Sequence, residues 1–144
     1  MQKTDQNTKQ ALQGVTKRIA SASNIEPRLQ QQKALTQILR TLHHIQQSYS
    51  NKLSLDELAE LANMSRYHYS RSFKKITGLS PVHYLNVYRL NKAGQLLIMT
   101  NWPVTRIAQE VGFNHSSNFV VHFKKVFTLT PSRYRQTMRE SLTD

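Results

Sequence analysis

Two segments of the chain carry the side chains best suited to specific chemistry, residues 65–77 and 115–127, and neither contains an acidic residue. In the first segment, Arg71 is the strongest candidate for reading a nucleic-acid base, because a guanidinium can donate two parallel hydrogen bonds to guanine O6 and N7. The polar and cationic side chains near it could contact base edges, sugars or phosphates. The candidates here are Arg66, Tyr67, Ser70, Arg71, Lys74 and Lys75. An ordinary solvated cationic face is the alternative interpretation of the same residues.

The second segment repeats the first, but Val121 stands where the first copy has Arg71. A valine cannot hydrogen-bond to a base edge, whereas its methyl groups can rest on the C5-methyl of thymine. We therefore predict weaker or A·T-biased readout by this segment. The alternative is that Val120 or Val121 packs inside the protein. The candidates in the second segment are Ser116, Ser117, Asn118, Val121, Lys124 and Lys125.

The sequence offers no comparable support for catalysis. The adjacent His43 and His44 would point about 100° apart on a helix and cannot easily share a metal ion. His115 and His122 would lie about two helical turns from one another. No paired carboxylates accompany a histidine, the chain has no cysteine, and its four glycines form no phosphate-binding loop. We predict no metal, no cofactor and no catalytic residue, and a protein that is not an enzyme.

The elements that would hold the two cationic segments are also duplicated. An apolar stripe at helical spacing precedes each segment, and a turn whose residues tolerate a left-handed backbone follows each stripe. The first stripe is Leu55, Leu58, Ala59 and Ala62, and the second is Val104, Ile107, Ala108 and Val111. The turns are Asn63-Met64 and Gly112-Phe113. A repeated stripe, turn and cationic helix predicts two helix-turn-helix readers.

The two copies differ at their helix ends. Ser54 begins a Ser-x-x-Glu capping box in the first copy, whereas Pro103 stands at the corresponding place in the second. Gly78 suits a helix C-cap, and Thr128, its counterpart, would resist the left-handed conformation that such a cap needs. The end of the second cationic helix therefore has either a different geometry or local strain.

Each copy is followed by a serine or threonine and a proline, Ser80-Pro81 and Thr130-Pro131, which is typical of a helix start. The free N–H groups of such a start can hold a phosphate, and two arginines stand near the second one. The candidate phosphate-binding residues are Arg133 and Arg135. Capping alone is the alternative function of these starts.

Two more helices are predicted outside the repeated blocks. An apolar pattern at helical spacing begins at Leu35 and continues to Ile45. Residues 82–99 would form a connecting helix of roughly 27 Å, and major grooves on one face of DNA recur about every 34 Å. One chain could therefore place two readers about one DNA turn apart, without the symmetry of a dimer.

The blocks can be quoted as LDELAELANMSRYHYSRSFKKITGLSPVHYL, VYRLNKAGQLL and VTRIAQEVGFNHSSNFVVHFKKVFTLTPSRYR. Together they resemble the DNA-binding region of the AraC/XylS family of bacterial transcription regulators, over about residues 35–136. The resemblance implies an all-α fold of seven helices, with two homeodomain-like helix-turn-helix subdomains joined by one long helix. The implied parts are residues 35–81, 82–99 and 100–136, followed by a tail at 137–144.

Residues 1–34 lie outside this resemblance. They are polar and predict a flexible or partly helical arm with a break near Pro27. We expect them to be too few and too polar to enclose a small molecule of their own. The N-terminus lacks an apolar stretch, and no run approaches the roughly 20 apolar residues of a membrane span. The sequence therefore predicts no membrane partner and a cytoplasmic, nucleoid-associated location.

Twenty Lys and Arg against eight Asp and Glu give a formal charge of +12, which favours a polyanionic partner. With the resemblance, this predicts a sequence-specific DNA-binding transcription regulator that acts as an activator on double-stranded DNA, with RNA polymerase as a further partner. Two alternatives stay open. One is a non-enzymatic architectural or RNA-binding protein, and the other is a truncated form of an effector-responsive regulator.

Overall fold

The computed structural model describes residues 2–24 and 29–143, which form eight helices and no strand. The predicted all-α class is therefore confirmed. The helices are α1 Gln2–Asn24, α2 Leu29–Ser48, α3 Leu55–Leu61, α4 Arg66–Thr77, α5 Pro81–Met99, α6 Val104–Glu110, α7 Ser116–Phe127 and α8 Pro131–Leu142. The two cationic helices, α4 and α7, begin within one residue of their predicted starts.

The chain divides into two compact units. The N-terminal unit is residues 12–86, and the C-terminal unit is residues 1–11 with residues 87–144. The first 11 residues of the predicted arm thus count with the C-terminal unit, and α2 begins at Leu29, ahead of the predicted boundary at residue 35. The break expected near Pro27 lies outside the described residues.

The core of the N-terminal unit forms where α2, α3 and α4 pack on one another. Helix α2 contributes Ile38, Leu42 and Ile45, which are all buried. Leu39 was part of the predicted apolar pattern, yet 39% of its surface is exposed. The buried face of α2 is therefore displaced from the predicted pattern, because it includes Thr41, two positions after Leu39, and leaves Leu39 outside.

Thr41 is buried because it pairs with the first cationic helix. The hydroxyl of Tyr69 on α4 donates to Thr41 Oγ1 at 2.9 Å, and Thr41 donates onward to the carbonyl of Ile38 at 2.8 Å. Burial raises the pKa of Tyr69 to about 12, and the bond to Thr41 opposes that rise. The neutral hydroxyl is therefore the form that fixes α4 against α2, and every polar atom of this buried pair is satisfied.

Aromatic rings fill the core of the C-terminal unit. Phe123 of α7 stacks on Phe127 with ring centroids 4.3 Å apart, and both rings meet Tyr134 of α8 edge-on, at 5.4 and 4.8 Å. Phe119 extends the cluster toward Phe113 in the turn before α7, at 5.3 Å. A Cβ on Gly94 of α5 would lie 3.3 Å from the Phe127 ring, so the glycine lets α5 approach this cluster closely.

The turns between paired helices have the same backbone geometry in both copies. In the first, Asn63 has a φ of 58°, and the N–H of Met64 donates to the carbonyl of Ala59 at 2.9 Å. In the second, Gly112 has a φ of 102°, and the N–H of Phe113 donates to Ala108 at 2.9 Å. Both are Schellman ends. Asn63 and Gly112 thus adopt the left-handed backbone that the sequence indicated they tolerate.

The helix ends explain how the copies differ. Ser54 accepts from the N–H of Glu57 at 3.1 Å, which confirms that half of the capping box, whereas Pro103 offers α6 no side-chain cap. Gly78 and Thr128 take the same left-handed C-cap, with φ of 86° and 64° and N–H bonds of 2.8 Å to Lys74 and Lys124. Of the two alternatives for Thr128, local strain is therefore the correct one, because a β-branched side chain disfavours positive φ.

Replacing Thr128 by glycine should stabilise the protein. Removing the side chain relieves a left-handed conformation that costs about 1–2 kcal/mol, against about 0.5–1 kcal/mol for the greater freedom of glycine in the unfolded chain. We expect a gain of about 0.5–1 kcal/mol in the free energy of unfolding, measured by urea denaturation. The reverse change, Gly78→Thr, should destabilise, because a β-branched residue is strained at a φ of 86°. An unchanged or lower stability of Thr128→Gly would contradict the strain.

Candidate nucleic-acid interface

One face of α4 is buried, and this decides which residues its other face presents. Ser65 caps the helix by accepting from the N–H of His68 at 3.2 Å, and Tyr69 and Phe73 point into the core with no exposed surface. The candidates on α4 lie on the remaining surface, where all are exposed except the partly buried Ser70. They are Arg66, Tyr67, Ser70, Arg71, Lys74 and Lys75.

Arg71 and Tyr67 form a pair on this exposed face. Arg71 Nη1 donates to the Tyr67 hydroxyl at 3.1 Å, and the guanidinium carbon lies 5.5 Å from the centroid of the Tyr67 ring. Tyr67 as a whole remains 70% exposed. The phenol therefore orients the guanidinium without burying it, so that the other guanidinium N–H groups remain available to an external acceptor. The sequence placed both residues on one stripe but did not predict this contact.

Arg66, by contrast, is already engaged by the protein. Its Nε and Nη2 donate to the two carboxylate oxygens of Asp56 on α3, at 2.9 and 3.0 Å. Both side chains are about two-thirds exposed, at 63% and 67%, so the ion pair contributes little stability. Its effect is positional, because it holds Arg66 toward α3 and leaves Arg71 as the better placed arginine on α4.

Helix α7 presents a less polar face. Ser116, Ser117 and Asn118 are exposed in its first turn, and Lys124 and Lys125 are exposed in its last. Val121 is 54% exposed, which excludes the alternative that it packs inside, while Val120 is partly buried. His115 precedes the helix and, within the described chain, makes no side-chain cap. The surface that corresponds to Arg71 and Tyr67 is thus occupied by a valine and a serine.

The two arginines predicted to bind phosphate have different surroundings. Arg133 is exposed on α8, and its backbone N–H donates to Thr130 Oγ1 at 3.3 Å. Arg135 is partly buried, and its guanidinium donates to the carbonyl of Leu97 at 2.9 Å and to that of Trp102 at 2.6 Å. Arg135 is therefore engaged within the protein, which counts against the predicted phosphate contact.

Arg139 of α8 also donates hydrogen bonds to the residues that follow α5. It donates to Asn101 Oδ1 at 2.9 Å and to the carbonyl of Thr100 at 2.5 Å. Helix α5 has no basic residue in its own last turn, so these two arginines of α8 supply the cations that a helix C-terminus favours. Burial, and then the charge of Arg139, lower the pKa of Arg135. Sequence reasoning missed this role, because the donors lie 33 to 39 positions from their acceptors.

The segment held by these arginines also carries the single tryptophan of the chain, Trp102. The guanidinium carbon of Arg106 on α6 lies 3.7 Å from the centroid of its ring, close enough for a cation–π interaction. Arg106 stands where the first copy has Glu57. The second copy therefore stabilises the start of its first helix with an aromatic contact rather than with a capping box.

Two further observations concern other classes of site. Among the described residues, no group of three or more His, Asp or Glu side chains is arranged to hold a metal ion. Of the helices in the described ranges, none combines the length and the apolar character needed to cross a membrane.

Comparison with known proteins identifies the repeated region. A family model described as a helix-turn-helix domain matches residues 58–137. The chain is 39% identical over 93 residues to the bifunctional transcriptional activator/DNA repair enzyme AdaA of Bacillus subtilis, and the match covers 65% of this chain and 44% of AdaA. It is 31% identical over 116 residues to the transposon Tn10 TetD protein of Escherichia coli, covering 80% of this chain and 84% of TetD.

A solved structure is also similar to the repeated region. A transcriptional regulator of Chromobacterium violaceum, described as having an AraC-type DNA-binding domain, superposes with a TM-score of 0.65 at 28% identity. The match covers 70% of this chain and 90% of that structure. The chain spans only 29% to 44% of four of its curated relatives, which carry additional sequence beyond the shared region.

Replacing Arg135 by glutamine should destabilise the C-terminal unit. The change leaves the carbonyls of Leu97 and Trp102 without their charged donor, which should cost about 2 kcal/mol and lower the melting temperature by about 5 °C. Arg133→Gln is the matched control, since it removes the same charge from an exposed position of the same helix. Thermal unfolding followed by circular dichroism and by Trp102 fluorescence measures both. Equal melting temperatures for the two variants would refute the structural role of Arg135.

Proposed function

Because the chain belongs to the AraC/XylS family of DNA-binding transcription regulators, we propose that it recognises a specific DNA sequence and activates transcription there. The observation that carries the proposal is the exposed pair of Arg71 and Tyr67 on α4. A guanidinium held over a phenol on the outer face of a helix-turn-helix element has the donors and the freedom to read a guanine in the major groove.

Roles for the other residues of α4 follow from their positions. Tyr67 and Ser70 lie beside Arg71 and would contact neighbouring bases or sugars. Lys74 and Lys75, one turn further on, would neutralise phosphates, as would Arg66 where its bond to Asp56 exchanges for a phosphate oxygen. These contacts would fix the position of α4 on the duplex, and Arg71 would supply most of the discrimination between bases.

The second helix would read its site differently. The exposed methyl groups of Val121 suit the C5-methyl of thymine, and Ser116, Ser117 and Asn118 offer hydroxyl and amide groups to base edges or phosphates. Lys124 and Lys125 would contact the backbone, and Arg133 would add a phosphate contact on α8. We therefore propose a site with a strongly specified half, read by α4, and a weakly specified, A·T-biased half, read by α7.

We propose further that one chain inserts both helices into adjacent major grooves on one face of the duplex. The support is the equivalence of the two copies, since α4 and α7 each follow the same left-handed turn and each present a cationic outer face. A dimer is not needed for two contacts of this kind. Activation would require RNA polymerase as a partner. Because the proposed target is DNA, we propose a cytoplasmic, nucleoid-associated location.

A footprint of the purified chain tests the two-groove arrangement. On DNA selected from a random pool, the bound chain should protect the backbone from hydroxyl-radical cleavage in two patches. The patches should lie about one helical turn apart, roughly 10 base pairs centre to centre. Gel-filtration or light scattering of the complex should give one chain per duplex. Protection limited to one groove per chain, or two chains per site, would contradict the proposal.

Arg71→Ala and Lys124→Ala should separate base readout from charge. Losing a bidentate guanine contact should weaken binding to the selected sequence by about 1–3 kcal/mol and relax preference at one base position. Lys124→Ala should weaken selected and random duplexes alike and lower the salt dependence by about one phosphate contact. Both are measured by fluorescence anisotropy at several salt concentrations. If Arg71→Ala weakens both duplexes equally, a charge-driven architectural or RNA-binding protein becomes the better account.

A further inference from the structure

A cleft of about 500 Å³ lies within the N-terminal unit. Its walls come from α1, from the first turns of α2 and from a face of α4 that is distinct from the face of Arg71. The wall from α4 includes His68, Ser72 and Lys75. Residues 1–34 alone were expected to enclose no ligand, but here α1 and α2 form a cavity jointly with the first DNA-reading helix.

The lining of the cleft combines cationic and apolar side chains. Arg18 of α1 and Lys75 of α4 both line it, and no acidic side chain does so among the described lining residues. Leu35 and Ile76 supply apolar surface. Two cations beside an apolar wall are complementary to an organic anion with an apolar body, because the acidic group is paired while the body is removed from water.

The position of Arg18 strengthens this assignment. Its Nε lies 2.8 Å from the point that a Cβ on Gly78 would occupy, so the guanidinium stem packs directly on the backbone that ends α4. This contact orients a side chain that lines the cleft. Because the Arg18 guanidinium is held in position before an anion binds, binding costs less side-chain entropy.

We propose that this cleft binds a small amphipathic organic anion, whose acidic group pairs with Arg18 and Lys75 and whose apolar body lies against Leu35 and Ile76. Bound anion weakens DNA binding, since the ammonium of Lys75 then pairs with the ligand instead of with a phosphate. By linkage, DNA weakens binding of the anion by the same factor. The effect on DNA rests on the proposed function, whereas anion binding does not.

Binding is tested first without DNA, with anilinonaphthalene sulfonate as the probe, a dye with a sulfonate, an apolar body and fluorescence that rises on burial. The full chain should bind one dye molecule with saturation. Arg18→Gln should weaken binding about tenfold, the loss expected for one charge-assisted hydrogen bond. Lys17→Gln is the matched control, because it removes the same charge from an exposed neighbour that does not line the cleft, and it should change affinity less than about twofold.

Two further measurements keep this result decisive. The uncharged dye N-phenylnaphthylamine should bind more weakly than the sulfonate, and its binding should not respond to Arg18→Gln. Ser72→Phe, which fills the cleft from α4, should abolish sulfonate binding while circular dichroism shows unchanged helicity. Equal sulfonate affinities for Arg18→Gln and Lys17→Gln, or equal affinities for the two dyes, would overturn the proposed site.

The coupling is tested with the selected duplex. Saturating duplex should raise the dissociation constant of the sulfonate several-fold, and Lys75→Gln should reduce that change toward none. If the sulfonate binds as expected but the duplex leaves its affinity unchanged, the site stands and the coupling is refuted. If no sequence is bound specifically, the proposed function fails, and the dye titrations still decide the site by themselves.

Discussion

The burial of one aromatic face of each cationic helix, α4 and α7, is the constraint on which the rest of the structure depends. Tyr69 and Phe73 of α4, and Phe119 and Phe123 of α7, are all fully buried at a spacing of four residues. A helix anchored at that spacing has no freedom to rotate, so its remaining face is fixed toward solvent. The outward direction of Arg71 and Val121 is thus a consequence of core packing. The same anchoring leaves the identity of the outward residues free to vary, which lets one scaffold carry two surfaces of different character.

The two copies reach this arrangement with different local stabilisation. The first uses side-chain caps and a glycine, with Ser65 at the start of α4 and Gly78 at its end. The second lacks a side-chain cap on α7 and places Thr128 in a left-handed conformation. Contacts between helices stabilise this copy instead. A ring cluster around Phe123 fills its core, and two arginines of α8 donate hydrogen bonds at the end of α5. Strain at one helix end persists because the surrounding packing determines the backbone there.

Local spacing in the sequence was enough to predict the helices, the left-handed turns and the outer faces of α4 and α7, because these depend on residues within about one or two turns of one another. Contacts between distant residues were not predictable in this way. A guanidinium has the same sequence signature whether it meets water or a buried carbonyl, so Arg135 was assigned to a phosphate. Thr41 was likewise indistinguishable from a solvated residue until Tyr69 was placed opposite it. The cleft needs three helices to be brought together, and no single segment encodes it.

General attraction to DNA and discrimination between base sequences have separate physical origins. The net charge of +12 attracts any duplex, and that attraction weakens as salt rises because it reflects the release of counterions. Discrimination between sequences would have to come from the few side chains able to reach base edges, and two of the candidate arginines are engaged within the protein. Arg66 is bonded to Asp56, and Arg135 to backbone carbonyls. With those two arginines held by the protein, the proposed function makes Arg71 the main source of specificity. A protein that attracts any duplex would then depend on one guanidinium to choose its site.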